Sequence, residues 1–228
     1  MPSTLTIASE TTPSPSHQRR KAERPQELLD AALDLFVEKG FSATRIDEVA
    51  ARAGVSKGTL YLYYASKEDL LKAVIAQRLS SQIAEGARQV AEHEGSCAEL
   101  LREVLSRWWE GVIDSDASGV FKLIITEVRN FPDIAAFYAR EVVEPGQNLI
   151  GGVVQRGIDR GEFRQVDVSG VVHSLVLPMV MLCIHKHSLG ACGALDPMVL
   201  APHQFIRQHI ELLLGGLLVP VPPTPPTP

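Results

Sequence analysis

An all-α chain is predicted, with a small N-terminal bundle of short helices followed by a larger helical remainder. Three observations predict it. Apolar residues recur at i, i+3 and i+4 through nearly the whole chain, the spacing of one buried helical face. Alternating apolar–polar runs and Asn-Gly-type hairpin turns are absent. Glycine and proline stand between the periodic stretches, at Gly40, Gly54, Gly95, Pro132, Gly161 and Gly190–Pro197, and so read as breaks.

Residues 1–16 are rich in Ser, Thr and Pro and are expected to form a disordered tail. A first helix is expected from near Pro25, a residue suited to a first turn because its missing N–H is not needed there. Leu28, Leu29, Ala32, Leu35 and Phe36 form its apolar face, and Gly40 stops it. Thr44 and Asp47 have the spacing of a capping box for a second helix, with Ile46, Val49, Ala50 and Ala53 as its stripe. Gly54 permits a tight turn, and Ser56 caps a third, very short helix reaching about Tyr61. Ser66 caps a fourth, with Glu68 and Asp69 in the first turn where the helix dipole favours acids. Beyond it, periodic stretches cover 66–92, 97–113, 117–130, 132–158, 167–188 and 197–217. The last ten residues, 219–228, are mostly Pro and Thr and read as an extended tail.

Two short helices around a Gly-centred turn, braced by a preceding helix, have helix-turn-helix geometry. Charge points the same way. The whole chain has net charge −5, which argues against a protein coated with basic charge. Residues 17–70 carry nine Lys/Arg and nine Asp/Glu, yet Val49 to Lys67 contains Arg52, Lys57 and Lys67 and no acid. His17 to Lys21 is likewise acid-free. Two basic surfaces in an otherwise acidic chain are what an approach to phosphate requires; a solvated charged face reads the same in sequence.

The run Gly40-Phe41-Ser42-Ala43-Thr44-Arg45-Ile46-Asp47-Glu48-Val49-Ala50-Ala51-Arg52-Ala53-Gly54-Val55-Ser56-Lys57-Gly58-Thr59-Leu60-Tyr61-Leu62-Tyr63-Tyr64-Ala65-Ser66-Lys67-Glu68-Asp69-Leu70, set within Arg24–Ile75, closely resembles the DNA-binding domain of the tetracycline-repressor (TetR/AcrR) family. That family often has His and Phe where Tyr63 and Tyr64 stand. The resemblance implies an N-terminal helix-turn-helix DNA-binding domain, 17–70, joined to a C-terminal helical ligand-binding and dimerisation domain, 71–218. It also implies a transcriptional regulator, most simply an effector-responsive repressor on a palindromic operator. Tyr61 and Lys67 match its phosphate-contacting positions. A phenol and an ammonium suit contacts that fix register without reading sequence. Lys57 would donate to guanine in the major groove, with Thr59 and Tyr63 offering further hydroxyls. Ser56 and Gly58 would let the helix start lie close to the backbone, and Thr44 and Arg45 would hold a flanking phosphate. Leu60, Val55 and Tyr64 read as core.

In the C-terminal part, the stretches around Val171–Ile184 and Phe205–Leu217 are apolar nearly all round, so they need cover on several sides. A second subunit is the natural cover for a small chain, and the resemblance agrees, since the family pairs its last two helices into a dimer. Half-sites about one helical turn apart, or somewhat more, would follow. The family's effector pocket lies among the middle helices, making Trp108, Trp109, Ile113, Phe121, Ile125, His173, Leu177 and Met181 candidates by position. Core packing explains most such residues equally well, and His173 has the chemistry either of a ligand donor or of a satisfied core histidine.

Other chemistries find little support. Three cysteines without CxxC spacing suggest neither a disulfide framework nor a zinc finger, so a reducing cytoplasm fits. Cys183, His185, His187 and Cys192 look superficially like a metal cluster, but on a helix His185 points away from Cys183 and His187. No metal and no cofactor are therefore expected. No hydrolase triad, phosphate loop or carboxylate pair is evident, so an enzyme is not expected. The longest apolar stretch, Val171–Ile184, is too short to span a bilayer and contains His173, Ser174 and Pro178. Partners are thus expected to be double-stranded operator DNA, a small-molecule effector and a second copy, with no membrane. A DNA binder without any ligand stays open, because an apolar core and an apolar pocket look alike in sequence.

Overall fold

The computed structural model describes residues 15–192 and 201–219. Of the tails expected at 1–16 and 219–228, residues 1–14 and 220–228 lie outside the described residues, as does the side chain of Cys192, while residues 15 and 16 belong to the first helix. The basic side chains of His17–Lys21 are outside them too. Among the described residues there is no strand, only an isolated bridge between Phe163 and Leu218.

Helix α1 (Pro15–Lys39) starts ten residues before Pro25, which sits inside it. Proline removes one backbone donor there without stopping the helix, because the large apolar face beyond it, from Leu28 to Phe36, anchors the rod. Helices α2 (Ile46–Arg52) and α3 (Lys57–Tyr61) come next, joined through Gly54 at φ +65. A side chain is strained in that left-handed conformation, which is why glycine stands there. Ser56 and Ser66 cap their helices, accepting from Thr59 N–H (3.1 Å) and Asp69 N–H (3.0 Å). The expected Thr44–Asp47 capping box is displaced by one residue. Arg45 is the N-cap, and Glu48 Oε2 accepts its N–H at 3.0 Å.

The long stretches are continuous but not uniform. Helix α4 (Lys67–Ile75) runs through a wide turn at Ala76–Ser80 into α5 (Ser81–Glu92). The same happens between α6 (Cys97–Glu99) and α7 (Ser106–Asp114) at Leu100–Leu105. It recurs between α9 (Pro132–Tyr138) and α10 (Glu144–Asp159) at Ala139–Val143. In such π-type turns the bonds reach five residues back, as Ser81 N–H does to Ala76 O. Helices α8 (Ala117–Glu127), α11 (Val168–Lys186) and α12 (Pro202–Leu217) complete the chain.

One core runs from α1 to α12 without interruption. Helix α8 crosses α1 closely, where a Cβ on Gly119 would stand 2.5 Å from Val37 Cγ2. Lys122 Nζ also donates to Val37 O (3.2 Å), and Ser42 Oγ donates to Glu127 Oε2 (2.8 Å). At the other end of α8, Ser118 is fully buried and bonded to His187 Nε2 at 2.8 Å, tying α8 to the end of α11.

Helix α11 corrects the expectation about membrane spans. It extends past both ends of the apolar stretch counted in the sequence. By length and composition it is the one described helix long and apolar enough to cross a bilayer. Here it packs against α8, α10 and α12, leaving Leu177 and Met181 exposed.

Gly119→Ala should lower unfolding stability by about 1–3 kcal/mol, because a stiff valine must move; a denaturant titration with an unchanged midpoint would refute the close crossing. Burial, then the charges of Lys186 and Lys122, hold His187 at about 4 rather than 6.5. The unfolded chain then takes up its proton below about 6.5 and the folded one only near 4, so stability should fall as pH drops through that window. His187→Gln should flatten this part of the stability–pH profile.

Candidate nucleic-acid interface and effector cleft

The face of the helix-turn-helix is built by buried anchors beneath exposed donors. Leu60 is fully buried and holds α3 against α2, with Val55, Tyr63 and Tyr64 packed around it. Ser56, Lys57, Gly58, Tyr61 and Leu62 are exposed above it. Ser56 Oγ and Thr59 Oγ1 are 2.9 Å apart, so the two hydroxyls form a single rigid pair at the helix start. Arg45, at the start of α2, is three-quarters exposed.

Two sequence candidates turn out to hold the domain together. Thr44 is 2% exposed, and its hydroxyl bonds the carbonyls of Gly40 (2.8 Å) and Leu35 (3.1 Å). It cannot face a phosphate, because the end of α1 offers those unsatisfied carbonyls. Lys67 Nζ donates to the carbonyls of Phe41 (2.8 Å), Ser42 (3.3 Å) and Thr44 (3.0 Å) and lies 4.5 Å from the centre of the Phe41 ring. An ammonium has three donors, and all three are taken. Lys67 is a brace for the α1–α2 turn.

The acid-free stretch is also less bare than its sequence suggests. Lys57 Nζ lies 2.7 Å from Asp47, and Arg52 Nη2 3.0 Å from Glu38. Asp47 is held below the usual carboxylate range mainly by its bond to Lys57. Any other acceptor for Lys57 must therefore displace Asp47. Sequence reasoning missed both Asp47 and Leu62, which is 84% exposed on the same face. The i, i+10 separation of Asp47 and Lys57 crosses a turn, so no helical periodicity reveals it.

The eight effector candidates do not converge. Trp109, Ile113 and Phe121 are core, while Ile125, Leu177 and Met181 are half or more exposed on the outside. His173 borders a groove between α10 and α11 with Gln147 and Ser169, bonding Ser169 O at 2.7 Å. Only Trp108 borders the apolar cleft that the middle helices do form. This cleft is tight, with about 70 Å³ of free space; the roughly 550 Å³ of empty space around it includes open solvent. Ile83, Gly86 and Val90 of α5 line one wall, and Leu149 and Val153 of α10 the next. The third wall is the wide turn at Leu100–Leu105 together with Trp108. Gly86 of α5 and Gly146 of α10 were the available signal, since a small residue on each helix leaves room between the two. Among the described residues, no group of three His, Cys, Asp or Glu side chains is placed to hold a metal.

Comparison with known proteins bears on both sites. Residues 28–74 match the family model for bacterial regulatory proteins of the tetR family, and 91–189 a tetracyclin repressor-like C-terminal domain. The chain is 30% identical to an uncharacterized HTH-type transcriptional regulator, Mb1581, of Mycobacterium bovis, covering 67% of this chain and 72% of that protein. It is 27% identical to the HTH-type transcriptional repressor KstR2 of Rhodococcus jostii, covering 92% and 98%. The structure of the transcriptional regulator FadR of Bacillus subtilis, solved in complex with stearoyl-CoA, superposes with a TM-score of 0.69 at 22% identity, over 84% of this chain and 98% of that one.

Lys57→Ala should reduce the slope of log affinity against log salt by about one and change base preference. Lys67→Ala should instead lower thermal stability and leave the slope nearly unchanged. Asp47→Asn, by releasing Lys57, should tighten binding to all sequences alike. A slope reduced by one in Lys67→Ala would restore its phosphate role.

Proposed function

The chain belongs to the tetracycline-repressor (TetR) family of bacterial regulatory proteins, and on that premise we propose that it is an effector-responsive repressor gripping a palindromic operator as a homodimer. The observation that carries this reading is the exposed row of donors on α3, seated on the buried Leu60. Arg45, Tyr61 and the Ser56–Gly58 backbone are the phosphate-holding groups. Lys57 and Thr59 enter the major groove, and the methyls of Leu62 suit the thymine methyl there, while Tyr63, expected from the sequence to offer a hydroxyl, is partly buried against the core. Residues 17–70 act as the DNA-binding unit and 71–218 as the effector-binding and dimerisation unit. The protein works in the cytoplasm, where its DNA is, and catalyses nothing.

Dimerisation explains the outer face of the last two helices. Leu177 and Met181 on α11 and Leu212 on α12 are at least half exposed in one subunit. An apolar face of this kind on a long helix needs cover, and a second copy related by a two-fold axis supplies it. The effector is apolar and sits in the cleft between α5, α7 and α10. Its release of DNA obeys linkage: operator and effector weaken each other by the same factor, typically about 5–150-fold.

Selection of genomic fragments by the purified protein should return a palindrome with half-sites about one helical turn, or somewhat more, apart. Leu212→Arg should sediment as a folded monomer that has lost the operator, since a charge buried in the interface costs several kcal/mol. A dimeric Leu212→Arg protein that still selects the palindrome would place the interface elsewhere.

A further inference from the structure

The cleft between α5, α7 and α10 offers a ligand almost nothing polar. None of the side chains lining it carries a charge, a hydroxyl or an amide. A head group carried inside would give up its water without a replacement, which is costly. The free space, about 70 Å³, takes only a few water-sized groups, so whatever enters must be slender.

Two residues lead out of the cleft. Gly86 of α5 and Trp108 of α7 line both the cleft and a second, more open groove on the outside. At Gly86 no side chain separates the two spaces, and a Cβ there would lie 3.5 Å from Leu149 Cδ2. Almost one turn beyond Trp108, Gly111 borders the outer groove, and a Cβ on it would meet nothing within 4 Å. The two spaces therefore meet at a seam between α5 and α7 where two side chains are missing.

The outer groove has the opposite character. Ser81, Gln82, Glu85, Gln89 and Arg107 line it. Its acid is engaged, since Glu85 accepts from Arg88 Nε (3.0 Å) and from Gln89 Nε2 (3.0 Å). Its cation is not. Arg107 donates through Nε to Glu103 O (3.2 Å), and its exposed guanidinium joins no ion pair among the described residues.

Resting on the reading of the cleft as the effector site, we propose that the effector is a single-chain amphiphile with an anionic head. Its chain threads between Gly86 and Trp108 into the cleft. Its head stays outside and pairs with Arg107, beside the Gln82 amide. A guanidinium presents paired donors to the oxygens of a phosphate or a carboxylate. Neither a fused-ring body nor a pair of chains fits the space within. The wall from Ile83 to Val90 runs about 10 Å along α5, so decyl chains suit as probes.

The test is calorimetric titration of the full-length protein with decanol, decyl maltoside and decyl phosphate, each below its micelle-forming concentration. A head that stays outside predicts that decyl maltoside binds as tightly as decanol despite its bulk. Decyl phosphate should bind about fivefold tighter than the maltoside, the most an exposed ion pair gives, and added salt should erase the difference. Arg107→Gln should lose that preference and keep decanol binding. Gly86→Leu should lose all three ligands. Gly86→Ala, whose methyl has room and favours the helix, should weaken them without melting earlier than the wild type, and it serves alone if leucine prevents folding. Decanol binding without maltoside binding, or undiminished binding by the Gly86 variants, would overturn the threading. Equal affinities for phosphate and maltoside would overturn the anionic head. Each of these results leaves the cleft reading standing. Binding of none of the three would remove the cleft as an apolar effector site, and this proposal with it.

Discussion

Helix α8 crosses α1 with only Gly119 between the backbone and Val37, and the rest of the structure is arranged around that contact. It joins the DNA-binding helices to the C-terminal helices in one core. Polar ties fix the crossing at both ends. Arg78, from the wide turn after α4, reaches Asp30 of α1 and Asp116 at the start of α8, while Glu127 at the end of α8 receives Ser42. Interiors packed this tightly transmit displacement instead of absorbing it. A shift of α7, which leads directly into α8, therefore reaches the α1–α2 turn without a long relay.

That turn is where the DNA-facing surface is held. Lys67 gathers three of its carbonyls, and Thr44 bonds two at the end of α1. Two side chains with obvious chemistry for phosphate are thus consumed in shaping the platform, and Arg45, Lys57 and Tyr61 are left exposed. Lys57 stays paired with Asp47 until DNA competes for it. An ion pair between exposed groups is weak, so the exchange is cheap, and it keeps a bare cation off the surface of an acidic protein.

The three wide turns share one address. Each interrupts a helix that walls the cleft: Ala76–Ser80 leads into α5, Leu100–Leu105 supplies wall residues itself, and Ala139–Val143 leads into α10. A π-type turn inserts a residue into the helical register and rotates the helix beyond it, which aims Ile83, Trp108 and Leu149 inward.

Local interactions were legible in the sequence. Apolar periodicity marked every long helix, Ser56 and Ser66 marked their caps, Gly54 marked the turn, and Leu60 was recognisable as core. Each depends on residues within four positions of one another, so the order of letters suffices to determine it. Contacts between distant segments were not legible. Nothing in the letters says that Lys67 meets Phe41 or that Lys57 meets Asp47. Trp109 and Trp108 are neighbours with similar chemistry, yet one is core and the other borders the cleft. A helix turns about 100° per residue, and which side faces a cavity depends on partners that periodicity does not name. The sequence by itself determined which segments are helical and which face of each is apolar. Only the tertiary structure decided which apolar faces close into core, which leave a cleft, and which distant charges pair, because burial is a property of the assembled helices.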